Sequence, residues 1–154
     1  MMISSKGRYA LRVMTDMGRH QEEDYLSLND IAERLHLSRK YLESIMTVLC
    51  KGGLVKSTVG KSGGYKLVRP AEAYTAGEIL RAVEEGMTPV SCLAEHGKKC
   101  SGSCECDCDM IPFWQGLEAS INTYLDSYTL RDLMNNKPSA DQAGIMSEVE
   151  HHES

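Results

Sequence analysis

The sequence predicts a mainly α-helical chain with one small β-hairpin, and three observations carry that prediction. Apolar residues recur at three- and four-residue spacing through four stretches before residue 85 and one long stretch after residue 110. Between the third and fourth stretches lie two β-prone runs, LVKSTV from Leu54 and YKLV from Tyr65, flanking the glycine-rich GKSGG of residues 60–64. Hydroxyl residues that can cap a helix stand at Ser27, Ser38 and Thr75, just before three of the helical stretches.

The first helix opens at Ser4 and turns Tyr9, Ala10, Val13, Met14 and Met17 to one side; the polar residues 21–24 break it. The second starts after Ser27, with Asp30 three residues on as a capping-box acid, and buries Leu28, Ile31, Ala32 and Leu35. A tight turn over residues 36–38 leads to a third helix from Arg39 to Lys51, capped by Ser38. Its inward residues are Leu42, Ile45, Met46 and Leu49, and Gly52 and Gly53 end it. Two short helices joined by a tight turn after a packing helix describe a helix-turn-helix, and the hairpin that follows makes it winged.

A third helix so placed enters the major groove of double-stranded DNA by its N-terminal residues. These are Ser38, Arg39, Lys40, Tyr41 and Glu43, none needed for the buried stripe. Arginine, lysine and serine can bond guanine edges or phosphates, and Glu43 can accept from a cytosine amine. At the wing tip, Gly60 and Gly63 let the backbone approach a phosphate or a minor groove, beside Lys61 and Ser62. A nucleotide-binding phosphate loop would need a helix after the glycines, and a second strand follows instead. The plain alternative for the third helix is an amphipathic helix with a charged outer face.

Thr75 caps a fourth helix that buries Ile79, Leu80 and Val83 and ends at Gly86. After Pro89 come five of the six cysteines within residues 92–108: Cys92, Cys100, Cys104, Cys106 and Cys108. Thiolates this close suit an iron–sulfur cluster, a thiophilic metal or a disulfide switch. Paired zinc spacing is poorly met, whereas Cys92-x₇-Cys100-x₇-Cys108 would wrap a loop around something larger. With Gly97, Gly102 and no apolar period, residues 88–110 read as a cysteine-rich loop. Cys50, at the end of the third helix, reads as a structural core thiol.

Pro112 fits the first turn of a long helix whose residues Phe113, Leu117, Ile121, Tyr124, Leu125 and Tyr128 form a nearly coiled-coil stripe. That stripe predicts a homodimer seam over residues 111–128. Thr129 caps a last short helix. The polar residues 136–154 have no period and are expected to be a disordered tail. The organisation is thus a winged helix-turn-helix DNA-binding domain (1–72), a connecting helix (73–87), the cysteine loop (88–110), a dimerisation helix with a final short helix (111–135), and the tail.

Charge supports a nucleic-acid partner. The chain of 154 residues carries a net −5, but residues 1–70 hold twelve Lys/Arg against seven Asp/Glu, and residues 71–154 five against fifteen. A half at +5 beside one at −10 is a basic module on an acidic protein. No run of 18 apolar residues and no signal-peptide pattern occur, which points to a cytoplasmic protein, no membrane partner and reduced thiols. A small redox or metal-handling enzyme is disfavoured, since no Ser/His/Asp constellation or paired carboxylates accompany the loop.

The segments ISSKGRYA from Ile3, YLE from Tyr41, GLV from Gly53, GGY from Gly63 and TLRDL from Thr129 appear in an order and spacing that resemble a known family. It is the iron–sulfur- and nitric-oxide-responsive winged-helix regulators of the IscR, NsrR and CymR type, and the resemblance spans residues 2–135. It implies a homodimer with crossing long helices on a palindromic promoter. The implied role is a repressor switched by an iron–sulfur cluster that senses iron–sulfur status, redox or nitric oxide. By the family's pattern Cys92 and Cys100 are the first two ligands, and Trp114, six residues downstream, marks Cys108 as the third. Cys104 and Cys106 are additions that could supply a fourth. One branch completes a [2Fe–2S] site with a histidine where Ile111 stands, so the resemblance leaves the fourth ligand open while favouring [2Fe–2S] over [4Fe–4S]. The family's minor-groove arginine is replaced here by Val59.

Overall fold

The structure, a computed structural model, describes residues 2–93 and 109–136. Cys100, Cys104, Cys106 and Cys108, and the tail beyond Asn136 expected to be disordered, lie outside the described residues. Six helices and one hairpin follow in chain order: α1 (Ser5–Arg19), α2 (Leu28–Leu35), α3 (Arg39–Lys51), β1 (Val55–Thr58), β2 (Gly64–Leu67), α4 (Ala76–Val83), α5 (Ile111–Ser127) and α6 (Leu130–Met134). Among the described residues no helix is long and apolar enough to cross a membrane.

The expected caps form. Ser27, Ser38 and Thr75 each accept a hydrogen bond from a first-turn backbone N–H, and Ser4 does the same for α1, a cap not marked by the pattern. The reciprocal box closes at Thr129, whose hydroxyl accepts from Asp132 N while the Asp132 carboxylate accepts from Thr129 N at 2.9 Å. His36 ends α2 in the left-handed region at φ 53°, the tight bend of the helix-turn-helix.

The predicted stripes converge on one core. Ala10, Val13, Met14 and Met17 of α1, Ile31 of α2, and Leu42, Ile45, Met46 and Leu49 of α3 are wholly buried. Each large side chain among them contributes about 1.5–3 kcal/mol by leaving water. Ile79 of α4 and Leu130 of α6 close the same core, so the chain returns to α1 after the long helix. Asp16, nearly buried on α1, takes a two-pronged hydrogen bond from Arg34 of α2 (3.0 and 2.8 Å) and raises the Arg34 pKa. This pair fixes the angle between the first two helices.

β1 and β2 pair antiparallel from Val55↔Leu67 to Thr58↔Gly64. Two backbone bonds of 2.8 Å between Leu26 and Tyr65 then pin the hairpin to the entry of α2. Gly64 lies directly under the Leu26 backbone, where a Cβ would collide with the carbonyl. A second anchor was not visible in the sequence pattern. Tyr74, at the end of a 3-10 turn over Ala71–Ala73, is wholly buried. Its hydroxyl donates to Leu54 O at 2.7 Å and accepts from Val68 N and Arg69 N at 2.9 Å each.

One element ends earlier than expected, and another lies uncovered on the chain alone. α4 stops at Val83 rather than Gly86, because Glu84 turns into extended backbone and sends its carboxylate to the start of α1. On α5 no residue is buried: Phe113 is 63 %, Leu117 39 % and Tyr124 46 % exposed. Its C-terminal end is nonetheless fixed, by Ala76 N donating to Tyr128 O (2.9 Å) and by Arg81 of α4 donating to Asn122 (3.1 Å) and pairing with Asp126.

Tyr74→Phe should lower stability by about 1–3 kcal/mol, because it leaves a buried carbonyl and two N–H groups without their shared partner. Chemical denaturation of the two proteins measures this, and equal midpoints would remove Tyr74 as the anchor of the hairpin.

Candidate nucleic-acid interface

The residues expected to meet DNA gather on one side of the molecule. Ser38, Arg39, Lys40 and Glu43 line the exposed start of α3, and Gly60, Lys61 and Ser62 form the exposed tip of the hairpin, with Gly63 half-buried at its base. Between them lies an open cleft of about 410 Å³. Arg39, Glu43, Val59, Gly60 and Gly63 line it, and so do Ser27 and Asn29 from the start of α2. Sequence reasoning missed the contribution of α2, whose first turn comes to the cleft only because Leu26 is paired to Tyr65.

Each position has a local cause. Ser38 is occupied as the α3 cap, its hydroxyl accepting from Tyr41 N at 3.2 Å, so it presents its remaining hydrogen-bonding capacity at the helix N-terminus. That terminus carries the positive end of the helix dipole, which favours an anion such as a phosphate. Arg39 and Glu43 form an exposed i,i+4 pair at 3.3 Å. Such a pair contributes at most about 1 kcal/mol, so either partner can be redirected to a ligand at small cost. Tyr41 has a second task that the stripe did not predict: its half-buried ring meets Tyr9 of α1 edge-on, with centroids 5.7 Å apart. At the hairpin tip Gly60 adopts φ 117°, a conformation that side-chain-bearing residues rarely take, and Val59 is fully exposed where the resemblance expects an arginine.

The cysteine loop begins at the far end of the α4 connection. Cys92 sits half-buried on a 3-10 turn over Ser91–Leu93 with a free thiol. Among the described residues it has no metal-competent group of His, Cys, Asp or Glu around it, and its expected co-ligands Cys100 and Cys108 fall outside them. The donor chemistry fits iron all the same, since soft thiolates within one short loop are what an iron–sulfur cluster needs. Cys50 is separate from this loop. It lies at the end of α3, half-buried, with Ser57 of β1 hydrogen-bonded to it, and burial pushes its thiol pKa up.

Residues 3–136 match the model of the Rrf2 family, described as an iron-dependent transcriptional regulator. Among curated relatives, the HTH-type transcriptional regulator IscR of Erwinia tasmaniensis is 37 % identical over 137 residues, covering 89 % of this chain and 81 % of its own. Its counterpart from Yersinia enterocolitica is 36 % identical with the same coverage. Among solved structures, T. potens IscR superposes with a TM-score of 0.69 at 36 % identity over 88 % of both chains. CymR, the global cysteine regulator of B. subtilis, gives 0.71 at 34 % identity, over 89 % of this chain and 98 % of its own.

Because burial raises its pKa and shields its thiol, Cys50 should be the slowest cysteine to react when the reduced, cluster-free protein is alkylated. Peptide mapping over an iodoacetamide time course reads this directly. Cys50 labelling as fast as in denatured protein would contradict its half-buried placement.

Proposed function

Since this chain belongs to the Rrf2 family of transcriptional regulators, we propose that it represses promoters as a homodimer whose affinity for DNA is set by an iron–sulfur cluster in the Cys92–Cys108 loop. The observation that carries the DNA half of the reading is the cleft itself. Arg39 and Glu43 of α3, the capped start of α2 and the glycine-tipped hairpin line one open cleft in the basic half of the chain, with Lys40 and Lys61 exposed on the same two elements as Arg39 and the glycines. Arg39 and Lys40 reach base edges or phosphates in the major groove, Ser38 and Tyr41 fix the helix at the backbone, and Glu43 accepts from a cytosine amine. Lys61, Ser62 and the backbone of Gly60 and Gly63 contact the flanking phosphates. With Val59 in place of an arginine, the hairpin reads the adjacent minor groove through Lys61 and shape alone.

The seam of the dimer is the α5 stripe. Its apolar residues are spaced for a helix partner, and among the described residues nothing covers Phe113, Leu117 and Tyr124. The second copy places two α3 helices for successive major grooves of a palindrome. Cys92, Cys100 and Cys108 hold the cluster, with Cys104, Cys106 or a residue of the partner's first helix as the fourth ligand, and [2Fe–2S] is the favoured type. When bound, the cluster supplies a centre that oxidants, nitric oxide or iron shortage can remove. The chain's own part is to hold thiolates in one loop and to join that loop through α4 to the DNA-reading elements.

Arg39→Ala and Lys40→Ala should each weaken operator binding, by about 1–3 kcal/mol where the side chain reads a base and by a smaller, sequence-independent amount where it meets phosphate. Fluorescence anisotropy with the chain's own upstream DNA at several salt concentrations separates the two, because a lost phosphate contact lowers the salt slope by about one. Full affinity in both variants would overturn the interface. Charged replacements at Leu117 and Ile121 together should yield monomers, each removing about 1.5–3 kcal/mol of apolar burial; light scattering that still reports a dimer would place the seam elsewhere.

A further inference from the structure

The contact that cut α4 short joins the root of the cysteine loop to the start of α1. Glu84 is half-buried, and its Oε1 accepts from Ser4 N at 2.9 Å and from Ser4 Oγ at 2.8 Å. The Ser4 hydroxyl in turn accepts from Gly7 N at 3.0 Å, so it relays the carboxylate to the first turn of the helix. A Cβ on Gly7 would run into Glu84 Oε1, and the glycine is therefore what lets the carboxylate lie against the helix. A negative charge there also meets the positive end of the α1 dipole. Ordinary capping needs only Ser4; the added carboxylate comes from 80 residues away.

What lies on either side of this contact gives it meaning. Upstream, the Glu84 N–H still donates to Leu80 O at 2.8 Å, so the residue closes the last turn of α4 before the connection to Cys92. Downstream, α1 runs on as one helix to Arg19. Two residues past Gly7, Tyr9 meets the Tyr41 ring at the start of α3, and further along Asp16 grips Arg34 of α2. A shift or release at the first turn of α1 therefore reaches both helices of the helix-turn-helix.

We propose that Glu84 is the positioning residue through which the state of the cysteine loop reaches the recognition helix, by holding or releasing the Ser4–Gly7 turn of α1. The proposal rests on the switch described above. A ligated loop fixes the far end of the connection and keeps Glu84 extended against α1; a free loop lets the carboxylate exchange Ser4 for water. The coupling then arises from a difference between two states of one contact, as any effect of a ligand on a distant affinity requires.

Three variants test it: Glu84→Ala removes the carboxylate, Gly7→Ala displaces it while leaving it present, and Glu84→Gln keeps the acceptor without the charge. Operator affinity is measured for each, loaded with its cluster and freed of it, alongside iron content. In the wild type the two affinities should differ by a factor in the ordinary range of allosteric coupling, about 5 to 150. In Glu84→Ala and Gly7→Ala the ratio should fall to about twofold or less with iron content unchanged, and Glu84→Gln should restore most of it. A residue that merely stabilised the fold would weaken both forms together and leave the ratio intact, which would overturn the assignment. A wild-type ratio of one would instead overturn the switch, and this inference with it. Hydrogen exchange on the cluster-free proteins gives a readout independent of loading. Gly7→Ala should speed exchange in the first turns of both α1 and α3, and a change confined to α1 would end the proposed path at Tyr9.

Discussion

The hairpin is held to the helices by the Tyr74 hydroxyl, and the placement of the cleft between α3 and the hairpin tip depends on that bond set. The hydroxyl donates to the carbonyl just before β1 and accepts from the two N–H groups just after β2, so both roots of the hairpin meet at one buried oxygen. Arg69 stacks over the same ring, 4.4 Å from its centroid, while pairing with Glu78 of α4. A two-stranded hairpin alone is marginal in water. Fixed at its roots by Tyr74 and along one strand by Leu26, it becomes a rigid extension of the helical core, and Lys61 can be aimed relative to Arg39 and Lys40.

The same core offers a route by which the proposed switch would reach α3. α1 touches α2 and α3 on one side and α4 and α6 on the other, with four wholly buried side chains between them. Interiors packed this closely move as units, so a change at either end of α1 is passed on rather than absorbed. The connection carrying Cys92 leaves from the end of α4, and the long helix returns through α6 to the same α1, where Arg19 donates to Met134 O at 3.0 Å. The connection that carries Cys92 and the long helix α5 thereby both stand on elements packed against α1, which itself packs on α3.

Much of this was legible in the sequence, and the boundary between what was and what was not is physical. Stripes such as Leu42, Ile45, Met46 and Leu49 and caps such as Ser27 and Ser38 are local, written within one or two turns of chain. The hairpin was legible for the same reason. Tyr74 and Glu84 were not, because their partners lie between 5 and 80 residues away and no local pattern marks a tyrosine as an anchor or a glutamate as a second cap. Gly7 was the available hint, a glycine in the first turn of a helix where nothing local requires one. Around the cleft, the charged residues of α3 and the glycines of the tip were named from pattern, whereas the start of α2 and the packing of Tyr41 on Tyr9 follow only from tertiary structure. The ligand set Cys92, Cys100 and Cys108 came from spacing and family resemblance, and of the three only Cys92 lies among the described residues.

The central claim is that the cysteine loop sets the affinity of this DNA-reading surface. Its most direct test compares the wild type with a Cys92→Ala, Cys100→Ala, Cys108→Ala triple variant, both prepared without oxygen, measuring bound iron and sulfide and the dissociation constant for the same promoter fragment. The account predicts a brown wild-type protein, a colourless variant that is still dimeric, and promoter affinities that differ between them. A variant that keeps its iron, or one that loses it and binds the promoter just as the wild type does, would contradict it.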